Sequence, residues 1–259
     1  MVSILRWYQM RVVICGGGVI GACSAHYLTR AGATVTVIER TGVANASSGK
    51  SGGFLALDWC AGSALDEMAQ RSFGLHKELA ITLGDELDLD WGYRTVDTLS
   101  VAASVKRDLS QYSKLPGPGW LGDRCMVHDR IGTPETTAQL DPAAFTLGMM
   151  RAAETHGARL QTGIVDGLVL SADGRRARGV LVDGEPIDAD AVLIAMGPWS
   201  ILACRWLPLP GTFGLKGHSL VFRFQPQDSA TVFAEIEAED GAVETPEIVP
   251  RMDGTTYVC

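Results

Sequence analysis

The stretch RVVICGGGVIGACSAHYLTRAGATVTVIER, residues Arg11 to Arg40, decides the fold of this chain. Val12 to Ile14 form a short apolar run of the kind that a strand buried in a parallel sheet requires. A glycine turn follows, and then a helix that ends at Gly32, where glycine tolerates a positive φ. A second apolar run, Val35 to Ile38, completes the pattern. The sequence therefore predicts a β-α-β unit whose two strands lie parallel.

The glycine turn has the form G-x-G-x-x-G, with Gly16, Gly18 and Gly21 in the three glycine positions. These glycines permit the tight turn, the approach of a pyrophosphate to the backbone and the close packing of helix on strand. The helix directs its free N–H groups and its positive dipole end at such an anion. Glu39 lies 18 residues after Gly21, close to the spacing of an acid that binds a ribose 2′-hydroxyl. The unit thus predicts a site for FAD or NAD, and the acid disfavours NADP.

The composition is that of a globular enzyme, since 46% of the 259 residues are hydrophobic and 20% are charged. The net charge of −8 gives no support for binding to nucleic acid or to an anionic membrane. No apolar run is long enough to span a bilayer, and the first ten residues leave no room for a removable signal peptide. The six cysteines contain no C-x-x-C pair. We therefore expect no metal site and a reducing, cytoplasmic location.

The remaining sequence predicts a second, mainly antiparallel region interleaved with the first. A capping-box pattern at Ser63 opens a helix to about Leu83, whose predicted buried stripe is Leu65, Met68, Leu75, Leu79 and Leu83. The run from Gly211 onward alternates in the manner of an antiparallel sheet. We predict an α/β fold with a Rossmann-like FAD-binding domain interleaved with an antiparallel-sheet substrate domain. The predicted ranges are 1–88 and 140–210 for the first domain, and 89–139 and 211–259 for the second.

Two features favour FAD over NAD. A loop of small residues, Asn45 to Gly53, follows the acid directly and offers backbone N–H groups and hydroxyls to a second nucleotide moiety. The apolar run from Ala189 to Met196 ends in Gly197, and as a strand it would return to the sheet and close the far side of the site. The only other match to G-x-G-x-x-G, Gly117 to Gly122, lies in a polar, Pro/Gly-containing stretch that predicts a surface loop and not a strand-turn-helix unit. A reductase with separate FAD and NAD(P)H domains is therefore not expected.

Four segments give the chain a resemblance to a known family: GGGVIG with Glu39-Arg40, SSGKSGGFLALDWC, GARLQTGIVDGL and ADAVLIAMGPWS. The chain resembles the FAD-dependent amino-acid and amine oxidases, the group of D-amino-acid oxidase, glycine oxidase and sarcosine oxidase. The resemblance covers nearly the whole chain from Arg11. The second segment is similar to a branch with an S-G-K-x-G-G-F-L-A signature.

The resemblance implies a set of FAD-contacting residues at matching positions. Those implied at the pyrophosphate are Gly16, Gly18, Val19, Ile20 and Gly21. It implies Glu39 at the adenosine ribose, Arg40 at the adenine side, and Val165 as a backbone contact to adenine. It implies Ser47, Ser48 and Lys50 at the ribityl and phosphate oxygens. It implies Gly52 and Gly53 at the flavin, and Gly197 and Trp199 in a second FAD-facing turn. No catalytic residue is assigned, and Lys216 and His218 are interpreted as structural.

The activity that the resemblance implies is oxidation of a small amine or amino acid by hydride transfer to flavin N5, with O₂ or another acceptor reoxidising the flavin. A flavin-binding or interaction protein without turnover is the alternative, and an NAD-dependent dehydrogenase is a weaker one. The sequence ends at Thr255 to Cys259 in the middle of a predicted strand, whereas members of the family continue further. On that ground we expect a truncated product, a fragment or a shortened gene model.

Overall fold

The computed structural model describes residues 10–224 and 226–259. The first nine residues, on which the signal-peptide expectation depends, lie outside the described residues. Contacts divide the described chain into two units, with residues 10–51 and 142–216 in unit 1 and the remainder in unit 2. Residues 52–88, which the sequence analysis assigned to the first domain, therefore lie in unit 2.

The helices are α1 (Val19–Arg30), α2 (Asp66–Leu87) and α3 (Pro142–Thr155). The strands of the first half are β1 (Arg11–Cys15), β2 (Thr34–Glu39), β3 (Phe54–Ala56), β4 (Arg94–Thr95), β5 (Thr98–Ser104), β6 (Cys125–Gly132) and β7 (Thr137–Gln139). Those of the second half are β8 (Arg159–Thr162), β9 (Val165–Leu170), β10 (Ala177–Val182), β11 (Glu185–Asp188), β12 (Ala191–Ile194), β13 (Leu220–Phe222), β14 (Thr231–Glu237), β15 (Val243–Glu244), β16 (Glu247–Pro250) and β17 (Thr256–Val258). Short 3₁₀ helices cover Ser47–Gly49, Ser110–Tyr112 and Gly197–Arg205.

Unit 1 is built on a four-stranded sheet in the order β12-β1-β2-β8. β1 pairs in parallel with β2 on one side and with β12 on the other, and β8 continues the parallel sheet. The predicted β-α-β unit and the return strand are thus confirmed. Since the strands are parallel, the segments that follow β1, β2 and β12 meet at one edge of the sheet.

One core cluster of unit 1 lies between this sheet and the antiparallel sheet β11-β10-β9. Its buried members are Val13, Cys15, Ile38, Val180, Val182 and Ala189. α1 packs against α3, and the parallel strands β1 and β2 are buried along most of their length. Continuous apolar strands of this kind require cover on both faces, and the two helices and the small sheet supply it.

Unit 2 is built on a seven-stranded sheet in the order β13-β17-β16-β14-β5-β6, with β15 paired to β14. All of these pairs are antiparallel except β14 with β5, which is parallel. One face carries a buried core of Leu99, Val101, Val127, Ala230, Val232 and Ala234. A second sheet, β3-β7-β4, draws Phe54–Ala56 into this unit, because that segment pairs with Thr137–Gln139.

The helix predicted from Ser63 is present as α2, but its predicted buried stripe is wrong at the start of the helix. Leu65 is 52% exposed and Met68 is 64% exposed, whereas Leu79 and Leu83 are buried. The start of the helix is therefore exposed, and its fully buried residues lie in its second half. Among the residues that the structure describes, no helix combines the length and the apolarity needed to cross a membrane.

Candidate nucleotide-binding cleft

The glycine turn after β1 has a backbone that side chains would disrupt. Gly16 has φ of 111°, and a Cβ atom there would lie 2.4 Å from the carbonyl oxygen of Ala195. A Cβ atom at Gly21 would lie 2.0 Å from the carbonyl oxygen of Gly16. Both obstacles are backbone atoms, which cannot rotate away. The two glycines therefore let α1 and the segment after β12 lie close to the turn, as the motif predicts.

α1 begins at Val19 and points its first turn at the carboxyl edge of the sheet. Gly18 is the N-cap residue and provides no side-chain hydrogen bond, and the first turn contains no acidic residue. The Val19 N–H instead donates to the hydroxyl oxygen of Ser48, at 2.9 Å, from the loop after β2. With no acid in the first turn, the positive end of the helix dipole is available to an anion.

Glu39, at the end of β2, is held by backbone donors. Its Oε2 accepts a hydrogen bond from the Gly17 N–H at 2.8 Å, and its Oε1 accepts one from the Thr41 N–H at 2.9 Å. Partial burial acts to raise the pKa of the Glu39 carboxyl, but hydrogen bonds from Thr41, Gly17 and Gly42 outweigh it and lower the pKa. Glu39 is therefore ionised at neutral pH and fixed beside the glycine turn.

Arg40 and Trp199 meet across the carboxyl edge of the sheet. The guanidinium carbon of Arg40, after β2, lies 5.0 Å from the centroid of the Trp199 ring, after β12. This distance is within the range of a cation–π contact. The pair spans the position of β1, because β1 lies between β2 and β12 in the sheet.

These groups surround a cleft of about 530 Å³ within unit 1. Most of the sequence-predicted contact residues line it: Gly16, Gly18, Val19, Ile20, Glu39, Arg40, Ser47, Ser48, Val165, Gly197 and Trp199. Gly21 lies buried beneath the turn, where its role is the packing of the helix. Lys50 is exposed and is not part of the lining. Gly52 and Gly53 belong to unit 2, so the structure does not bring them to the lining of this cleft.

Several lining residues were not among the individually predicted contacts. They are Ile38, Thr41, Gly42, Ala44, Asn45, Ala46, Gly163, Ile164, Ile194, Ala195, Met196, Pro198, Ser200 and Leu202. All of them follow or end parallel strands, or lie between β8 and β9. The signal available in the sequence was their position immediately after β2, β8 and β12, since the carboxyl ends of neighbouring parallel strands share one edge.

The fold and the cleft define a dinucleotide-binding α/β protein. The chain matches the family described as FAD dependent oxidoreductase over residues 11–259, and it belongs to that family. FAD is the cofactor of this family, and the chain is thus an FAD-dependent oxidoreductase.

Related proteins agree with this assignment. A protein of Schizosaccharomyces pombe named as an oxidoreductase is 29% identical over an alignment 278 residues long. The alignment covers 96% of this chain and 69% of that protein. The glycine oxidase structure from Bacillus cereus superposes with a TM-score of 0.76 at 22% identity, covering 96% of this chain and 72% of that chain. The iminodiacetate oxidase structure from Chelativorans sp. BNC1 gives a TM-score of 0.66 at 21% identity, covering 96% of this chain and 70% of that chain. The structural likenesses establish the fold.

Proposed function

We propose that this protein oxidises a small amine or amino acid with FAD bound in the cleft of unit 1. Two observations support the substrate class and the place of the cofactor. The structural relatives include a glycine oxidase and an iminodiacetate oxidase, whose named substrates are amino acids. The cleft combines a helix N-terminus, an ionised carboxylate and an aromatic ring, which suit a diphosphate, a ribose and a base respectively.

The glycine turn and the first turn of α1 are proposed to hold the diphosphate. The backbone carries this role, because Gly16 and Gly18 leave no side chain between an anion and the N–H groups of the turn. Ser47 and Ser48 lie on the same wall and offer hydroxyl groups to phosphate or ribityl oxygens. Lys50, outside the lining, is kept as a proposed contact to the same oxygens.

Glu39 is proposed to accept hydrogen bonds from the adenosine ribose, and its two oxygens differ in their capacity for this. Oε1 already accepts from the Thr41 N–H and from the Thr41 hydroxyl, at 2.9 and 3.3 Å. Among the described residues, Oε2 accepts only from the Gly17 N–H. A carboxylate oxygen has two lone pairs, so Oε2 retains the capacity for a ribose hydroxyl.

Arg40 and Val165 are proposed to hold the adenine end, and Gly197 and Trp199 to line the second turn that faces the cofactor, with the Trp199 ring against Arg40. All four line the cleft. Gly52 and Gly53 are kept as proposed positions of close approach to the flavin. When bound, FAD would supply a two-electron acceptor for the hydride on the carbon next to the substrate nitrogen, and these residues would hold and orient the cofactor.

The cleft in unit 1 is the observation that carries the proposal, and anaerobic flavin reduction tests it. The purified chain is reconstituted with FAD, freed of excess cofactor and mixed without oxygen with glycine, sarcosine, iminodiacetate, D-amino acids and simple primary amines. We expect at least one of these compounds to bleach the flavin absorbance. A chain that retains FAD but is bleached by none of them would contradict the proposed activity and support a flavin-binding protein without turnover.

A further inference from the structure

The seven-stranded sheet of unit 2 has a second face, opposite its buried core. Val232 of β14 and Ile248 of β16 are paired and both pack into that core. The next pair along these strands is Phe233 with Glu247. Because successive side chains of a strand point to opposite faces, Phe233 and Glu247 lie side by side on the second face.

Phe233 belongs to a cluster of three aromatic rings on this face, which we call the aromatic patch: Phe54, Trp59 and Phe233. The ring centroids lie 5.2 Å apart for Phe54 and Phe233, 5.0 Å for Trp59 and Phe233, and 5.0 Å for Phe54 and Trp59. The indole N–H of Trp59 donates to the carbonyl oxygen of Ile131 at 3.3 Å, which fixes the orientation of the ring. Trp59 is nevertheless 45% exposed, so the patch is accessible to a small molecule.

Glu247 places a negative charge beside this patch without a compensating group. Its backbone N–H and carbonyl pair with Cys259, but within residues 10–224 and 226–259 its carboxylate has neither a hydrogen-bond donor nor a cation as partner. Partial burial raises the pKa of the Glu247 carboxyl. Arg251, the residue that follows β16, has its guanidinium carbon 4.9 Å from the Tyr257 ring centroid. A partly desolvated carboxylate is unfavourable unless a cation pairs with it.

We propose that Glu247 and the aromatic patch form a binding site for the ammonium group of an amine. Ring faces attract cations through their quadrupole, and a neighbouring carboxylate adds a counter-ion, which is the combination that recognises ammonium ligands. An anion would be repelled by Glu247, and a purely apolar partner would bury the carboxylate unpaired. This inference rests on the proposed amine or amino-acid oxidation only for the class of ligand, since the site itself is formed by residues of unit 2.

Binding of benzylammonium and of the neutral benzyl alcohol to the FAD-loaded chain tests this site. Titration calorimetry is applied to the wild type, to Glu247→Gln and to Glu239→Gln, an exposed acid in a loop of the same unit that provides the matched control. We expect Glu247→Gln to weaken benzylammonium binding roughly fivefold or more, the scale of one lost charge pair, and to leave benzyl alcohol binding unchanged. The control is expected to bind both compounds as the wild type does.

The same samples separate this inference from the proposed function. Equal benzylammonium affinity of Glu247→Gln and Glu239→Gln overturns the ammonium site, whether or not amines reduce the flavin. A Glu247-dependent affinity in a chain whose flavin no amine reduces supports the site and contradicts the oxidation. Thermal melting checks that the variant is folded, and we expect it to be, because a neutral amide replaces a desolvated charge of the same shape.

Discussion

Replacing Glu39 with glutamine tests the proposed nucleotide site most informatively, because the change keeps the shape of the side chain and removes its charge. In the wild type, the two carboxylate oxygens accept from the Gly17 N–H and the Thr41 N–H, at 2.8 and 2.9 Å. A glutamine has only one acceptor oxygen. Whichever way its amide turns, the NH₂ group faces one of these two backbone donors, and that donor loses its partner.

The expected cost follows from these contacts. An unsatisfied donor costs about 1–3 kcal/mol, and Glu39 is half-buried, so the apo chain should lose about 1–2 kcal/mol of unfolding free energy. A ribose hydroxyl bound to a neutral amide rather than to a carboxylate loses about 1 kcal/mol, because charge-assisted hydrogen bonds are the stronger class. This corresponds to an FAD Kd raised roughly five- to tenfold.

Urea unfolding of the apo chain and FAD titration by flavin fluorescence measure the two effects separately. Glu185→Gln, an exposed acid on β11 of the same unit, is the matched control. The pKa of Glu39 is lowered in the folded state, so its stabilising effect is present above the unfolded pKa and is lost as the pH falls through the folded pKa. The stability gap between wild type and Glu39→Gln should therefore narrow in acid. Equal FAD affinity of Glu39→Gln and Glu185→Gln would refute the role of the carboxylate.

Three further predictions concern other parts of unit 1. Gly16→Ala places a Cβ atom 2.4 Å from a backbone oxygen at φ of 111°, whereas the Cβ atom of Gly174→Ala, at φ of 68°, meets no atom within 4 Å. Urea unfolding should therefore show a loss of unfolding free energy that is larger for Gly16→Ala than for Gly174→Ala, by about 2 kcal/mol or more. His26 is fully buried, and desolvation, aided by Arg30 and His156, lowers its pKa to about 4. The free energy of unfolding of the wild type should therefore fall by up to about 3 kcal/mol between pH 6.5 and 4, as measured in urea titrations. The free energy of unfolding of His26→Leu should fall by less over the same range. Trp199→Ala removes the ring that contacts Arg40, and titration should show FAD affinity reduced roughly fivefold.

The fold of unit 1 could be predicted from local sequence because its signals are local. The apolar runs of β1 and β2, the glycine turn and the acid all lie within Arg11 to Arg40, and the parallel register joins them as the pattern requires. The return strand β12 was predictable from its apolar run ending in Gly197, and it pairs with β1 at the edge of the sheet, where its residues are half-buried. The predicted site residues Gly16, Glu39 and Gly197 lie within or directly after these elements, where the motif itself points to them.

The boundary between the units was not predictable in this way. It depends on the pairing of β3 with β7, whose partners lie more than 80 residues apart in the chain. The exposure of the start of α2 was also not predictable, because helical periodicity shows which side of a helix is apolar but not how far along the helix a neighbour extends. Leu65 and Met68 satisfy the periodicity and remain exposed. The missed lining residues around Gly163 and Ala195 reach the cleft only through the strand order.

Competition between FAD and ADP for the purified chain tests the central claim most directly, because the cleft of unit 1 is proposed to hold the adenosine diphosphate half of the cofactor. We expect the chain to bind FAD stoichiometrically, ADP to displace it in a single competitive isotherm, and riboflavin to displace it far less effectively. An FAD affinity that ADP leaves unchanged, or a chain that does not bind FAD, would contradict the assignment of this cleft.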